Sequence, residues 1–240
     1  MKTQLFSSII TNMLKIENLT IATLKGRTLV KDFNFVLNNN DKIALIGEEG
    51  NGKSTLIKII AGIDVSEYAT YTGEITCTDK LAYMPQRIPE QFYDKDLLTY
   101  IVKNEDDIDY SELYDVIKKV NIDPSLLEDR HLIKTLSGGE KVKASLARML
   151  YERPDTLLLD EPTNDLDLQT LIWLEEFIKN ENRAIIFISH DETMLENCSN
   201  GIIHLEQLKR KTETKISYSG ENYQEYIKNR SYNIKRTIKK

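Results

Sequence analysis

Cysteine is scarce: Cys77 and Cys198 are the only two in 240 residues. Two thiols make neither a disulfide framework nor a four-ligand zinc centre, so a reducing compartment, the cytoplasm, fits the chain. Five prolines and ten glycines are too few for a collagen-like or low-complexity protein. No apolar run reaches the ~20 residues that a membrane span requires. The stretch Leu5-Phe6-Ser7-Ser8-Ile9-Ile10 imitates a secretory leader. Its apolar run is too short and no small-residue cleavage pattern follows, so residues 1–12 read as a loose extension. Excess charge of one sign is also small, at -6 overall, but it is unevenly placed. Residues Lys209 to Lys240 carry +7 and the rest of the chain -13, a basic tail on an acidic body.

What is present is a large core and an alternation of strands and helices. Leu14 to Ile21 and Leu29 to Leu37 alternate apolar and polar residues, the pattern of half-buried strands. Lys42 to Ile46, Thr156 to Leu159 and Ala184 to Ile188 are short apolar runs, the pattern of strands buried on both faces, and Leu81 to Met84 is another short strand, ended by Pro85. Helical spacing appears from Ser54 to Ala61, across the acidic stretch Asp94 to Lys134, and from Leu168 to Lys179. Ile202 to Glu206 and Thr214 to Tyr218 read as a closing antiparallel pair, and Asn222 to Lys240 as a polar helix. The order predicts an α/β core with parallel strands.

The string Gly47-Glu48-Glu49-Gly50-Asn51-Gly52-Lys53-Ser54 fits G-x-x-x-x-G-K-[ST] in full, between an apolar strand and a helix. Glycines let backbone N–H groups curl around phosphate oxygens, and the helix dipole adds positive potential there. In such a loop Lys53 meets the β and γ phosphates and the Ser54 hydroxyl meets Mg²⁺. Lys53 is expected to point into the open loop rather than into the core. Further on, Thr156 to Leu159 delivers Asp160 and Glu161 at a strand's C-terminal end, where open α/β sheets place their sites. Asp160 is assigned to the metal, and Glu161 to the base that activates water.

Taken together these strings resemble an ATP-binding cassette (ABC) ATPase from about Leu14 to Tyr226. Gly47 to Thr55 resembles its Walker A loop, and Tyr83-Met84-Pro85-Gln86 its Q-loop. Leu136-Ser137-Gly138-Gly139-Glu140 is similar to the signature motif, Leu157 to Glu161 to Walker B, and Asn164-Asp165-Leu166-Asp167 to the D-loop. His190 stands where the family's switch histidine stands, while His131 and His204 read as structural. The resemblance implies a P-loop NTPase fold: a mixed sheet core, an antiparallel β subdomain, and an α-helical subdomain inserted at about residues 90–150. The cassette itself would span residues 13–226, with a basic linker helix or tail starting at 227. It implies ATP and Mg²⁺ as cofactors, Gln86 as metal and water ligand, and His190 on the γ-phosphate. Ser137, Gly138, Gly139 and Glu140 would meet the ATP of a second cassette, so that one copy does not complete a site.

The branch is suggested by two strings. Asn164-Asp165-Leu166-Asp167 and Tyr218-Ser219-Gly220-Glu221-Asn222-Tyr223 resemble the ABC-F branch, whose members carry two cassettes in one chain and act on the ribosome. Some protect it from antibiotics. The basic tail is then similar to the interdomain linker that meets ribosomal RNA. Gln86 and Ser137 are 51 positions apart, too close for a long arm insertion. The aromatic that stacks on adenine in the family is absent, since Ala22-Thr23-Leu24 occupies its stretch. Two other readings stand beside this one. One is a subunit that energises a membrane permease, and the other is a noncatalytic module whose nucleotide joins two halves.

Overall fold

The structure is a computed structural model that describes residues 14–208 and 213–238, so the N-terminal extension and Lys239-Lys240 lie outside the described residues. β1 (Leu14–Thr23) pairs antiparallel with both β2 (Thr28–Leu37) and β4 (Ala69–Cys77), in the order β2-β1-β4. The larger sheet runs β5-β6-β7-β3-β8-β9. In it β3 (Lys42–Gly47), β5 (Leu81–Met84), β6 (Thr156–Leu159), β7 (Ala184–Ile188) and β8 (Gly201–Leu208) are parallel. β9 (Glu213–Ser219) closes the edge antiparallel to β8. The central strands β6 and β7 are buried at every residue, as two-sided burial in a parallel sheet demands.

Two cores result. One lies between the sheets, where Leu14, Ile16, Leu19 and Val30 meet α1 (Lys53–Ile60) and one face of β3. The other covers the opposite face of the large sheet with α5 (Gly138–Tyr151), α6 (Leu168–Asn180) and α7 (Glu192–Cys198). The acidic stretch expected to be helical is broken into α2 (Leu97–Val102), α3 (Tyr110–Lys119) and the single turn α4 (Ser125–Glu128). The breaks have a local cause. Lys103, Asn121 and Arg130 each take a positive φ, which ends a right-handed helix. Asp96 starts α2, and Asp109 restarts the chain as α3, by accepting from the N–H groups of Thr99 and Glu112.

β4 was not expected from the sequence. It is an edge strand with most side chains in solvent, so it lacks the apolar alternation that marks a half-buried strand. The last helix, α8 (Tyr223–Ile238), packs on α7 and β8.

Candidate functional site: a phosphate loop facing two carboxylates

β3 ends at Gly47, whose φ is 149° and where a Cβ would sit 2.3 Å from the Leu205 carbonyl oxygen of β8. Only glycine lets the chain leave the sheet that close to its neighbour. The loop then turns into α1, whose N-cap Gly52 is left-handed at φ 96° and offers no side-chain cap. The helix N-terminus is therefore not capped from within. Gly47, Gly50, Gly52, Lys53, Ser54 and Thr55 line a cavity of about 1140 Å³ together with Glu48 and Glu49. Asn51 does not: it is 1% exposed, and its amide donates to the Leu205 carbonyl at 3.1 Å, tying the loop to β8.

Lys53 departs from expectation. It is 5% exposed, and its Nζ donates to the carbonyl oxygens of Gly47 and Glu48 at 2.9 and 3.2 Å. The ammonium is folded back onto its own loop. Burial pushes its pKa below the usual lysine value, against the opposing charges of Glu161, Asp160 and Glu49.

Opposite the loop, β6 delivers Asp160, which is buried. Its Oδ1 accepts from Ser54 Oγ and its Oδ2 from Tyr83 Oη, each at 2.9 Å. Desolvation raises its pKa above the ordinary aspartate value. Tyr83 is a site residue that the motif string alone does not single out. Its signal is a hydroxyl two residues upstream of Pro85 on a half-buried edge strand. The oxygens of Ser54, Asp160 and the Gln86 amide are the hard donors that Mg²⁺ takes, and two of the three already meet.

Glu161 holds a left-handed backbone at φ 50°, costly for a non-glycine residue and concentrated at working sites. Its Oε2 accepts from Gln86 Nε2 at 2.8 Å and from Asn164 Nδ2 at 2.9 Å. His190 Nε2 lies 3.5 Å from its Oε1, with the imidazole 54% exposed. Glu161, Gln86, His190 and the phosphate loop thus share one cavity.

The signature residues lie elsewhere. Ser137 caps α5 by accepting from the Glu140 N–H at 3.3 Å, and Glu140 accepts from the Ser137 N–H at 2.7 Å, a complete capping box. Gly138 lines a second cavity with Gln86, Glu161 and Asn164, and a Cβ there would lie 2.6 Å from the Asp165 carbonyl oxygen. Asp167 caps α6 by accepting from the Thr170 N–H at 2.8 Å, a bond that holds its carboxyl below the usual range. His204 also differs from a plain core histidine. Its Nδ1 faces Tyr226 Oη at 2.8 Å and Arg230 Nη1 at 2.9 Å, and the ring helps line the phosphate cavity.

A phosphate loop on a parallel sheet, facing an acidic strand end and a histidine, defines a P-loop nucleotide-binding protein. The family model described as ABC transporter matches residues 30–164. ATP-binding protein Uup of Buchnera aphidicola is 34% identical over 95% of this chain and 38% of its own length. ABC transporter F family member 2 of Dictyostelium discoideum is 31% identical over 90% of this chain and 40% of its own. A solved ABC transporter chain in an inward-facing conformation shares the fold, with a TM-score of 0.70 at 23% identity over 85% of this chain and 82% of its own. The chain belongs to the ABC transporter family and is an ATP-binding cassette of the ABC-F type. It spans about two fifths of the length of these curated relatives.

Proposed function

We propose that this cassette hydrolyses ATP as one of a pair, within a protein that acts on the ribosome in translation or antibiotic resistance. The observation that carries the chemistry is the Glu161 carboxylate, held by Gln86 and Asn164 beside His190 at the mouth of the phosphate loop. On this reading the loop binds the triphosphate at the N-terminus of α1. Lys53 exchanges its two backbone carbonyls for phosphate oxygens, a trade of neutral acceptors for charged ones. Glu161 accepts a proton from the attacking water, and His190 donates a hydrogen bond to the γ-phosphate. Mg²⁺ would be held by Ser54, Asp160 and the Gln86 amide oxygen, and would neutralise phosphate charge. Tyr83 keeps Asp160 aimed at Ser54.

Ser137, Gly138 and Gly139 serve the nucleotide of a second cassette. Support comes from their absence from the lining of the phosphate cavity. The ribosomal role is supported by the likeness to ABC-F relatives and by the basic tail. Among the described residues no helix is long and apolar enough to cross a membrane. Two measurements test the reading together. Mg²⁺-dependent ATP turnover per chain should rise with protein concentration, and the Glu161→Gln variant with ATP should co-sediment with ribosomes. Turnover independent of concentration in a monomer would overturn the paired site, and co-purification with a membrane permease instead of ribosomes would overturn the partner.

A further inference from the structure

We infer that Tyr83 sets which divalent cation this site prefers, by holding one oxygen of Asp160 so that the carboxylate offers only the other to a metal. The inference rests on the ATP and Mg²⁺ reading above and concerns a residue outside the ligands named there. Asp160 is 2% exposed, and each of its carboxylate oxygens has one O–H donor. Ser54, which donates to Oδ1, lines the phosphate cavity, whereas Tyr83, which donates to Oδ2, is not among its lining residues. Oδ1 is therefore the oxygen on the cavity side, and Oδ2 is turned toward β5.

The Tyr83 hydroxyl is placed by the sheet. β5 and β6 run parallel with Tyr83 opposite Leu158 and Met84 opposite Leu159, and the Asp160 N–H donates to the Met84 carbonyl at 3.0 Å. That bond carries the pairing one residue past β6 and brings Asp160 alongside β5. The phenol ring is half-buried against the core between the two sheets, which fixes where its oxygen sits. A phenol keeps its proton at neutral pH, so Tyr83 donates and Oδ2 accepts. Mg²⁺ and Ca²⁺ differ in what they ask of a carboxylate. Mg²⁺ demands a tight octahedron and keeps several waters, so a single carboxylate oxygen serves it. Ca²⁺ takes more oxygens in a looser shell and accepts a carboxylate through both of its oxygens. With Oδ2 engaged by Tyr83, that two-oxygen mode is closed. The same bond fixes the orientation of the carboxylate, as groups that back a metal ligand do.

The test compares metals and reads binding. ATP is titrated at equilibrium into the full chain with Mg²⁺, with Ca²⁺ and with EDTA. The same is done for Tyr83→Phe, which removes one oxygen and keeps the ring, and for Lys53→Ala as a control. The unsubstituted chain should bind ATP more tightly with Mg²⁺ than with Ca²⁺. In Tyr83→Phe the affinity with Mg²⁺ should fall roughly 10-fold, the lower end of the loss when the partner behind a metal ligand is removed. Affinity with Ca²⁺ should hold or rise, and affinity in EDTA should hold. Equal binding with either metal in the unsubstituted chain overturns the assignment. So does a preference that is unchanged in Tyr83→Phe, and an equal loss under all three conditions would mark a structural role only. If Tyr83→Phe melts below the titration temperature, a crystal of the unsubstituted chain with Mg²⁺ and ATP decides. A Tyr83 hydroxyl still on Asp160 supports the assignment, and one that has left it overturns the assignment. Failure of the ATP reading itself looks different: Lys53→Ala would then bind ATP as well as the unsubstituted chain under every condition.

Discussion

α1 and α5 both start at small residues, yet their first turns are finished in opposite ways. α1 begins at a left-handed glycine with no side-chain cap, and its first residues line the large cavity. α5 begins at Ser137, and the reciprocal bonds with Glu140 complete its N-terminus from within. A helix N-terminus without a cap suits an anion, while a capped one is stable before any ligand arrives. On the proposed function, the first takes this chain's own nucleotide. The second waits as a rigid surface whose glycine, Gly138, packs against the Asp165 carbonyl oxygen of the same chain.

The largest expected effect strikes the α1 side. Glu161→Gln keeps the shape of the side chain and removes the proton acceptor. Turnover in a competent assembly should fall by roughly 10²–10⁴, the contribution of a general base, with ATP still bound. Steady-state phosphate release checks this, and unchanged turnover would remove Glu161 from its role. Lys53→Ala should weaken ATP binding by about 10- to 100-fold, the scale of one charge-assisted hydrogen bond. Because the lysine is buried and holds two loop carbonyls, the variant should also melt lower, which differential scanning calorimetry can read.

On the α5 side the effects concern the fold and the second cassette. Gly138→Ala forces a Cβ against a backbone oxygen and should cost about 1–3 kcal/mol of stability. Ser137→Ala removes the cap and should cost about 1 kcal/mol, while ATP affinity of the dilute chain stays unchanged. An affinity loss in Ser137→Ala at high dilution would erase the contrast between the two helices.

The smallest effect is one of pH. Burial pushes the pKa of His204 down to about 4, so the imidazole is neutral and accepts at Nδ1 from its neighbours. The unfolded chain protonates this histidine near 6.5 and the folded chain does not. Stability is therefore full above pH 6.5 and declines as pH falls toward 4. Glu206, in contact with Arg230, is held below the usual glutamate range and adds its loss only at lower pH. His204→Gln should flatten the melting temperature between pH 6.5 and 5, and an unchanged slope would remove His204 from it.

Much of the phosphate site was legible because its chemistry is local. Gly47 to Ser54 lie in one loop whose spacing marks it, and Asp160 and Glu161, which end one buried strand, stand out only beside that loop. Motif order likewise named Gln86, Ser137 and His190. Helix boundaries between Asp94 and Lys134 were not legible at two of the three breaks, because positive φ at Lys103 and Arg130 leaves no mark in residue types that usually occupy helices, whereas Asn121 is a type that ends helices. Strand β4 was silent because its side chains face solvent.

The sequence by itself determined the loop, the acidic strand end and the alternation of buried strands, since each depends on neighbours a few residues apart. Tertiary structure alone decided that Lys53 folds onto its own loop and that Asn51 ties that loop to β8. It also decided that Tyr83 orients Asp160 and that Arg27 meets Gly50. Apart from Lys53, whose acceptors are in its own loop, these partners lie 23 to 154 positions apart, and the packing of the elements brings their polar atoms within hydrogen-bond distance.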